Sequence, residues 1–221
     1  MLDNINLLVL APLLNIQLLL DGLFIGAIFA LAAYGLALVW GVMNVKNLAQ
    51  GEFVIMGGYF AWYAGSIGIH PILSMPVAIV GMFAFGWVTY RLIISRVVDK
   101  DMFISLLATF GLAIVIQQGL NLAFGPEVQI AESGFDTKEF FDGSVTVATI
   151  KFISFIICIV LAVAVVLFMK KSRMGQAIRA TSQDARAAKV MGIDTDRVYA
   201  FTYALNCAIC GAAGVMISMI W

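Results

Sequence analysis

The chain has 221 residues, 62% of them hydrophobic and 12% charged, with 13 basic and 13 acidic residues in balance at neutral pH. Soluble domains carry about 25% charged residues, so this composition excludes an ordinary soluble domain and predicts an integral membrane protein. The basic residues lie in loops that flank apolar runs rather than on a soluble face, which excludes nucleic acid as a partner.

The first 20 residues contain Asp3 and neither Lys nor Arg, whereas a cleaved signal begins with a basic stretch. A leucine-rich segment broken at Pro12 is expected to be an interfacial or partly inserted helix. The first full span is expected from Leu18 to Trp40. Within it Gly22, Gly26 and Ala30 recur at four-residue spacing, a strip that lets another helix approach closely in lipid. A short polar link with Asn44, Lys46, Asn47, Gln50, Gly51 and Glu52 leads into a second span, Phe53 to Ile69. His70-Pro71 separates it from a third, which runs to Tyr90; His70, the single histidine, reads as an interfacial residue rather than a ligand.

Arg91, Arg96, Asp99, Lys100 and Asp101 form a charged loop before the fourth span, Met102 to Phe124. That span carries Gln117, Gln118 and Asn121, amides that lipid penalises unless they face a partner or a cavity. The loop at 125–151 is acidic, and the alternation at Val145-Thr146-Val147 suggests a small hairpin. The fifth span covers 152–169 and the last visible one 199–221. Between them lies a basic insert, 170–198, holding Lys170, Lys171, Arg173, Arg179, Arg186, Lys189 and Arg197. A helix is expected over Met174 to Met191, with Ile178, Ala185, Ala188 and Met191 on one face. Gly192 is its expected stop, and Asp194 or Thr195 is expected to cap the next helix. Cys158, Cys207 and Cys210 lie in apolar runs and read as small buried side chains rather than a metal or redox pair.

The fold class expected is therefore all-α, a polytopic bundle of about six spans in a single transmembrane domain over 1–221, the first four spans lying within 18–124. Eleven of the 13 Lys and Arg fall in the loops around 43–52, 91–101 and 170–198. By the positive-inside rule that side is cytoplasmic, with the N-terminus and the acidic loop outside. The apolar run reaches Trp221 without a polar tail, and the native chain is expected to continue beyond it.

Three segments carry a resemblance. Arg186-Ala187-Ala188-Lys189-Val190-Met191-Gly192 is similar to the EAA-x-x-x-G cytoplasmic loop of ABC-transporter permeases, departing from it in Arg186 for Glu and in lacking the later Ile-x-Leu-Pro portion. Asn47-Leu-Ala-Gln-Gly-Glu-Phe53 resembles the Asn-x-Ala-x-Gly-Glu-Phe/Met segment of the branched-chain amino acid permease branch. The small-residue-rich start GLFIGAIFALAAYGLALVWGVMNV and MGQAIRATSQDARAAKVMGIDTDRV look like the same branch. The resemblance runs in order from Leu18 onward.

It implies a permease subunit of an ATP-driven importer in the bacterial inner membrane, moving a small polar solute, with branched-chain amino acids as the default. Urea or short amides are the alternatives within the family. Implied partners are ATP-binding cassette subunits, a second permease subunit (the same or a paralogue), a periplasmic substrate-binding protein and membrane lipid. The chain has no GxxxxGK[ST] loop, so no bound cofactor is expected on it; ATP and Mg belong to the partner, and the chain is not an enzyme. The resemblance assigns coupling to the ATPase to Gly175, Arg179, Arg186, Ala187, Ala188 and Gly192.

Asn47, Gln50, Gly51, Glu52, Gln117, Gln118, Asn121 and Asn206 are candidates for the translocation path or its gate. Interhelical hydrogen bonding is the competing reading for the amides, and a structural or gating role suits Glu52 better than substrate contact. A membrane-embedded enzyme lacks a nucleophile with its base, paired carboxylates or zinc spacing. An ion-gradient-driven carrier or channel tends to place charges deep in its spans, whereas Asp21 and Glu52 lie near span ends.

Overall fold

A computed structural model describes residues 12–98, 100–125, 127, 131, 137–140 and 145–220. Eight α-helices and one hairpin make up the described chain: α1 Pro12–Met43, α2 Gln50–Ser66, α3 Met75–Leu92, α4 Met102–Phe124, β1 Thr137–Phe140, β2 Val145–Ala148, α5 Thr149–Lys171, α6 Arg173–Gln183, α7 Ala185–Val190 and α8 Thr195–Ile220. The segment before Pro12 and Trp221 lie outside the described residues. The all-α bundle expected from composition is present. The hairpin expected near Val145 pairs Thr137 with Ala148 and Phe140 with Val145 in antiparallel register.

Five helical segments are long and apolar enough to cross a membrane: 15–43, 71–96, 102–124, 149–171 and 195–220. Six were expected, and this count by length leaves out the second. The second expected span is α2, whose 17 residues extend about 25 Å, short of a hydrocarbon core about 30 Å thick. Its C-terminal end is fixed by Gly68 at φ 77° and by the 3-10 turn Pro71–Ser74, which the His70 ring opens by accepting from the Ile72 amide at 3.2 Å. The fourth span keeps its expected bounds, Met102–Phe124, whereas α1 starts at Pro12, before the expected Leu18, and α8 begins four residues before the expected Tyr199.

The bundle is built around α8. Helices α2 and α3 pack closely along it, with α1 beside them, and Ala200, Tyr203, Ala204, Cys207, Cys210, Ala213 and Met216 are almost wholly buried. Lipid tails supply no hydrophobic drive for helix pairing, so van der Waals contact decides, and small residues permit the closest approach. A Cβ placed on Gly57 of α2 would lie 2.6 Å from the Gly211 carbonyl oxygen of α8. One on Gly214 would strike the backbone oxygen of Val54, and one on Gly86 of α3 would lie 2.7 Å from Cys207 Sγ. Cys207 and Cys210 thus sit in this buried seam, and Cys158 of α5 is buried against Met216, small buried side chains as the sequence suggests.

By contrast, Gly22, Gly26 and Ala30 are exposed on α1, and a Cβ on either glycine would meet nothing within 4 Å among the described residues. The strip that reads as a packing surface is unused within the chain because Phe24, Ile28 and Leu31, on the other face, make the contact with α8 and α5. Helix α5 is held to α1 by Lys151 Nζ to Asp21 Oδ1 at 2.8 Å and by Phe24 against Phe152 and Phe155. The pair lies at the first turn of α5, so Asp21 is level with a helix end although it is nine residues into α1.

Charged loops expected on one side do come together. Arg91 meets Asp196 at the start of α8, and the Lys46 carbonyl accepts from Thr109 Oγ1 of α4 at 3.1 Å. At the opposite end Ala131 of the acidic loop donates its amide to the Ser218 carbonyl at 3.1 Å, covering the end of α8.

The backbone seam yields a test. Gly214→Ala and Gly57→Ala should each cost about 1–3 kcal/mol or more, because backbone cannot move aside as a side chain can. Gly26→Ala, facing open space, should be neutral or slightly stabilising. Thermal unfolding in detergent measures all three, and equal midpoints would refute the seam.

Candidate functional site

The basic insert begins at an elbow. Ser172 Oγ caps α6 by accepting from the Gly175 amide at 2.8 Å. Gly175 lies against the Met169 backbone so tightly that a Cβ there would collide with its oxygen. Arg179 donates from Nη1 to that same Met169 carbonyl, one of the last carbonyls of α5, which lack helical partners. Gly175 and Arg179 therefore clasp the insert to the end of α5.

The single helix expected over Met174 to Met191 is two helices. Asp184 takes extended backbone angles (φ −155°, ψ 106°), and its Oδ1 accepts from the amides of Arg186 at 2.8 Å and Ala187 at 3.0 Å. A short acidic side chain that competes for backbone N–H groups ends one helix and caps the next. These two amides, Ala187 first, hold the Asp184 carboxyl below its ordinary range. Ile178 and Ala188 are buried as the expected apolar face requires, but Met191 is not on it. Val190 and Met191 are 86% and 82% exposed at the tip of α7. Arg186, Ala187 and Gly192 are also exposed, whereas Ala188 points inward.

Gly192 stops α7 as expected. Its φ of 87° is left-handed, its amide bonds to Lys189, and the Ile193 amide bonds to the Ala188 carbonyl at 3.0 Å, an arrangement that favours glycine. Asp194 then caps α8, its Oδ1 accepting from the Arg197 amide at 3.1 Å.

Of the expected path residues, the structure gathers three. Gln50 and Asn206 exchange amide hydrogen bonds, Gln50 Nε2 to Asn206 Oδ1 and Asn206 Nδ2 to Gln50 Oε1, each at 3.0 Å. Gln50 Nε2 also reaches the Ala32 carbonyl of α1 at 2.9 Å, so α1, α2 and α8 meet at one polar knot. Asn47 donates to Gln50 Oε1 at 3.5 Å and accepts from the Ala49 amide, which turns the chain into α2. Gly35 leaves the space that Asn206 occupies. Glu52 is half-buried in the first turn of α2, where a carboxylate complements the positive helix end; neighbouring Gly51 is exposed.

Gln117, Gln118 and Asn121 are not brought to this knot. They project from α4 opposite its buried Ser105, Thr109, Leu112 and Ile116, exposed and without a hydrogen-bond partner among the described residues. Sequence reasoning missed a second junction, where Asp196 accepts from Tyr90 Oη at 2.7 Å and from Arg91 Nη1 at 3.0 Å. Its signal was a second acidic residue in the first turn after the Asp194 cap. The exposed Val190-Met191 pair was also missed, and an apolar pair just before a helix-stopping glycine was its signal.

Two outcomes test this geometry. A double-mutant cycle on Gln50→Ala and Asn206→Ala should give a coupling near 0.6 and below about 2 kcal/mol, the range for interhelical hydrogen bonds in membranes; no coupling would dissolve the knot. The Asp184 carboxyl has a folded pKa below its ordinary 3.8. Its stabilisation of α7 is complete above that ordinary value and is lost as pH falls through the lower folded value. Amide exchange at Arg186 and Ala187 should therefore stay protected at neutral pH and accelerate in Asp184→Ala, and unchanged exchange would remove the cap from the account.

The chain matches the family described as "Branched-chain amino acid transport system / permease component" over residues 18–220. It is 28% identical to the high-affinity branched-chain amino acid transport system permease protein LivH of Salmonella typhimurium over 225 residues, covering 93% of this chain and 71% of that one. It is 24% identical to the corresponding permease protein BraD of Pseudomonas aeruginosa, covering 92% and 71%. A probable LivH of Methanocaldococcus jannaschii is 30% identical, covering 90% and 65%. No solved structure matches. A family match across the described bundle, polar knot and insert makes this chain a member of the branched-chain amino acid transport system permease family.

Proposed function

We propose that the chain moves branched-chain amino acids inward across a bacterial inner membrane as the transmembrane subunit of an ATP-driven importer. The names of the relatives support the solute. The insert supports the power source: α6 and α7 form a basic projection clasped to both α5 and α8, whose tip presents Val190 and Met191 to solvent. Two large apolar side chains exposed among Arg186 and Lys189 suit a groove on another protein. The positive-inside rule puts this insert in the cytoplasm and the acidic loop outside, where a periplasmic binding protein would deliver the solute.

In this reading ATP and Mg bind to separate ATP-binding cassette subunits, and their closure displaces the α7 tip. The expected coupling residues divide by geometry. Arg186, Ala187 and Gly192 belong to the outward tip, while Gly175, Arg179 and Ala188 hold the insert in shape. Gln50, Asn47 and Asn206, with Gly51 and Glu52 beside them, form the hinge-side knot of the path. Gln117, Gln118 and Asn121 of α4 face outward to a water-filled path shared with a second permease subunit, since lipid penalises unpartnered amides. Gly22, Gly26 and Ala30 give a helix of that second subunit room to approach.

The test is co-purification with the ATP-hydrolysing subunit, followed by uptake in proteoliposomes. Val190→Glu with Met191→Glu should abolish the complex and ATP-dependent leucine uptake while the bundle keeps its thermal midpoint. Ala188→Arg should instead lower the midpoint itself, because Ala188 is buried. A complex that survives the double Glu variant, with uptake driven by an ion gradient alone, would replace this reading with that of a secondary carrier.

A further inference from the structure

The start of α8 is joined to the end of α3 by one side chain. Asp196 lies in the first turn of α8 and uses both carboxylate oxygens on consecutive residues of α3: Oδ1 accepts from Tyr90 Oη at 2.7 Å and Oδ2 from Arg91 Nη1 at 3.0 Å. Arg91 is further steadied over the Trp87 ring, 5.9 Å from its centroid. The Tyr90 side chain is wholly buried, and a buried hydroxyl requires a partner. The Arg91–Asp196 pair itself is half exposed, with both side chains at 52%, and such a pair adds little stability. What the junction provides is a fixed distance between two helix ends.

Its position gives that distance a use. Asp196 is two residues beyond Asp194, where the insert passes into α8. Displacement of α7 passes along the chain into α8 through this turn. Farther along, α8 is fused to α2 and α3 through the Gly57–Gly211, Gly214–Val54 and Gly86–Cys207 contacts. Helices α4 and α5 place no glycine against backbone in this way: α4 meets the bundle through the side chains of Thr109, Leu112 and Ile116 and through the Phe124 ring against Tyr59 and Trp62. The first turn of α8 is thus a place where motion entering from α7 would be lost by bending before the backbone seam takes it up.

We propose that Asp196 is a positioning residue that locks the start of α8 to the end of α3, so that motion reaching α8 from the insert moves α2, α3 and α8 as one body. This rests on the ATP-driven reading above. Conformational change in packed helices proceeds by sliding or rotation of rigid groups rather than by continuous deformation, and a defect at the joint therefore weakens the link between the two ends without removing either.

The experiment measures solute taken up per ATP hydrolysed by the whole transporter in proteoliposomes. Asp196→Ala should lower this quotient by roughly threefold or more, within the range by which residues along a coupling route act. Asp196→Asn, whose amide oxygen still accepts from Tyr90, should lower it less and serves as the better-folding variant. The discriminating protein is Arg91→Cys with Asp196→Cys. Before cross-linking its quotient should be low, and a short bifunctional thiol reagent joining the two helix ends should return it to within about twofold of wild type. The native cysteines are buried, and treated wild type is the control. An unchanged quotient in both Asp196 variants, or a cross-link that lowers it further, would overturn the joint, the latter because α3 and α8 would then need to move apart. If wild type itself takes up solute without ATP, the ATP-driven reading fails instead.

Discussion

The contact of α8 with α2 and α3 at backbone distance is the constraint on which the rest of this structure depends. Inside a bilayer no hydrophobic force gathers helices, because lipid is as apolar as their side chains. Association then rests on dispersion, which falls away within an ångström of separation. The Gly57, Gly86, Gly211 and Gly214 positions remove the atoms that would hold the helices apart. Around that seam the larger side chains Phe53, Tyr90, Tyr203 and Met216 fill the remaining space with almost no exposure.

A seam this tight divides the molecule. The helices α2, α3 and α8 share it, and α1 is tied on through the Gln50–Asn206 knot and the Ala32 carbonyl. Helices α4 and α5 lie outside. They present apolar faces such as Phe103, Leu107 and Val115 on α4 and Val160 and Val163 on α5, suited to lipid or to another membrane subunit. The amides of α4 and the small-residue strip of α1 lie on outward faces as well, so the features unused within this chain are those that a larger assembly would use.

The insert is attached at both ends by polar contacts, and between them by the packing of Ile178 into the core. Arg179 and Gly175 bind its start to the last turn of α5, and Asp194 and Asp196 bind its end to α8 and α3. Between them Asp184 divides it into two short helices, which lets α7 turn Val190 and Met191 outward while Ala188 stays inside.

The sequence by itself determined the class of protein, the Gly192 stop, the Asp194 cap and the three family segments. These depend on local chemistry: hydropathy over some 20 residues, a left-handed glycine, a carboxylate near free amides. Only the tertiary structure decided which amides pair, since Gln50 and Asn206 are 156 residues apart and nothing local distinguishes them from Gln117 or Asn121. It also decided that the Gly22 strip faces outward, that α2 is a short helix pressed on α8, and that Asp196 reaches Tyr90 and Arg91. A glycine in a membrane helix states only that a close approach is permitted; which helix takes it is settled by the faces that remain once all of them are packed.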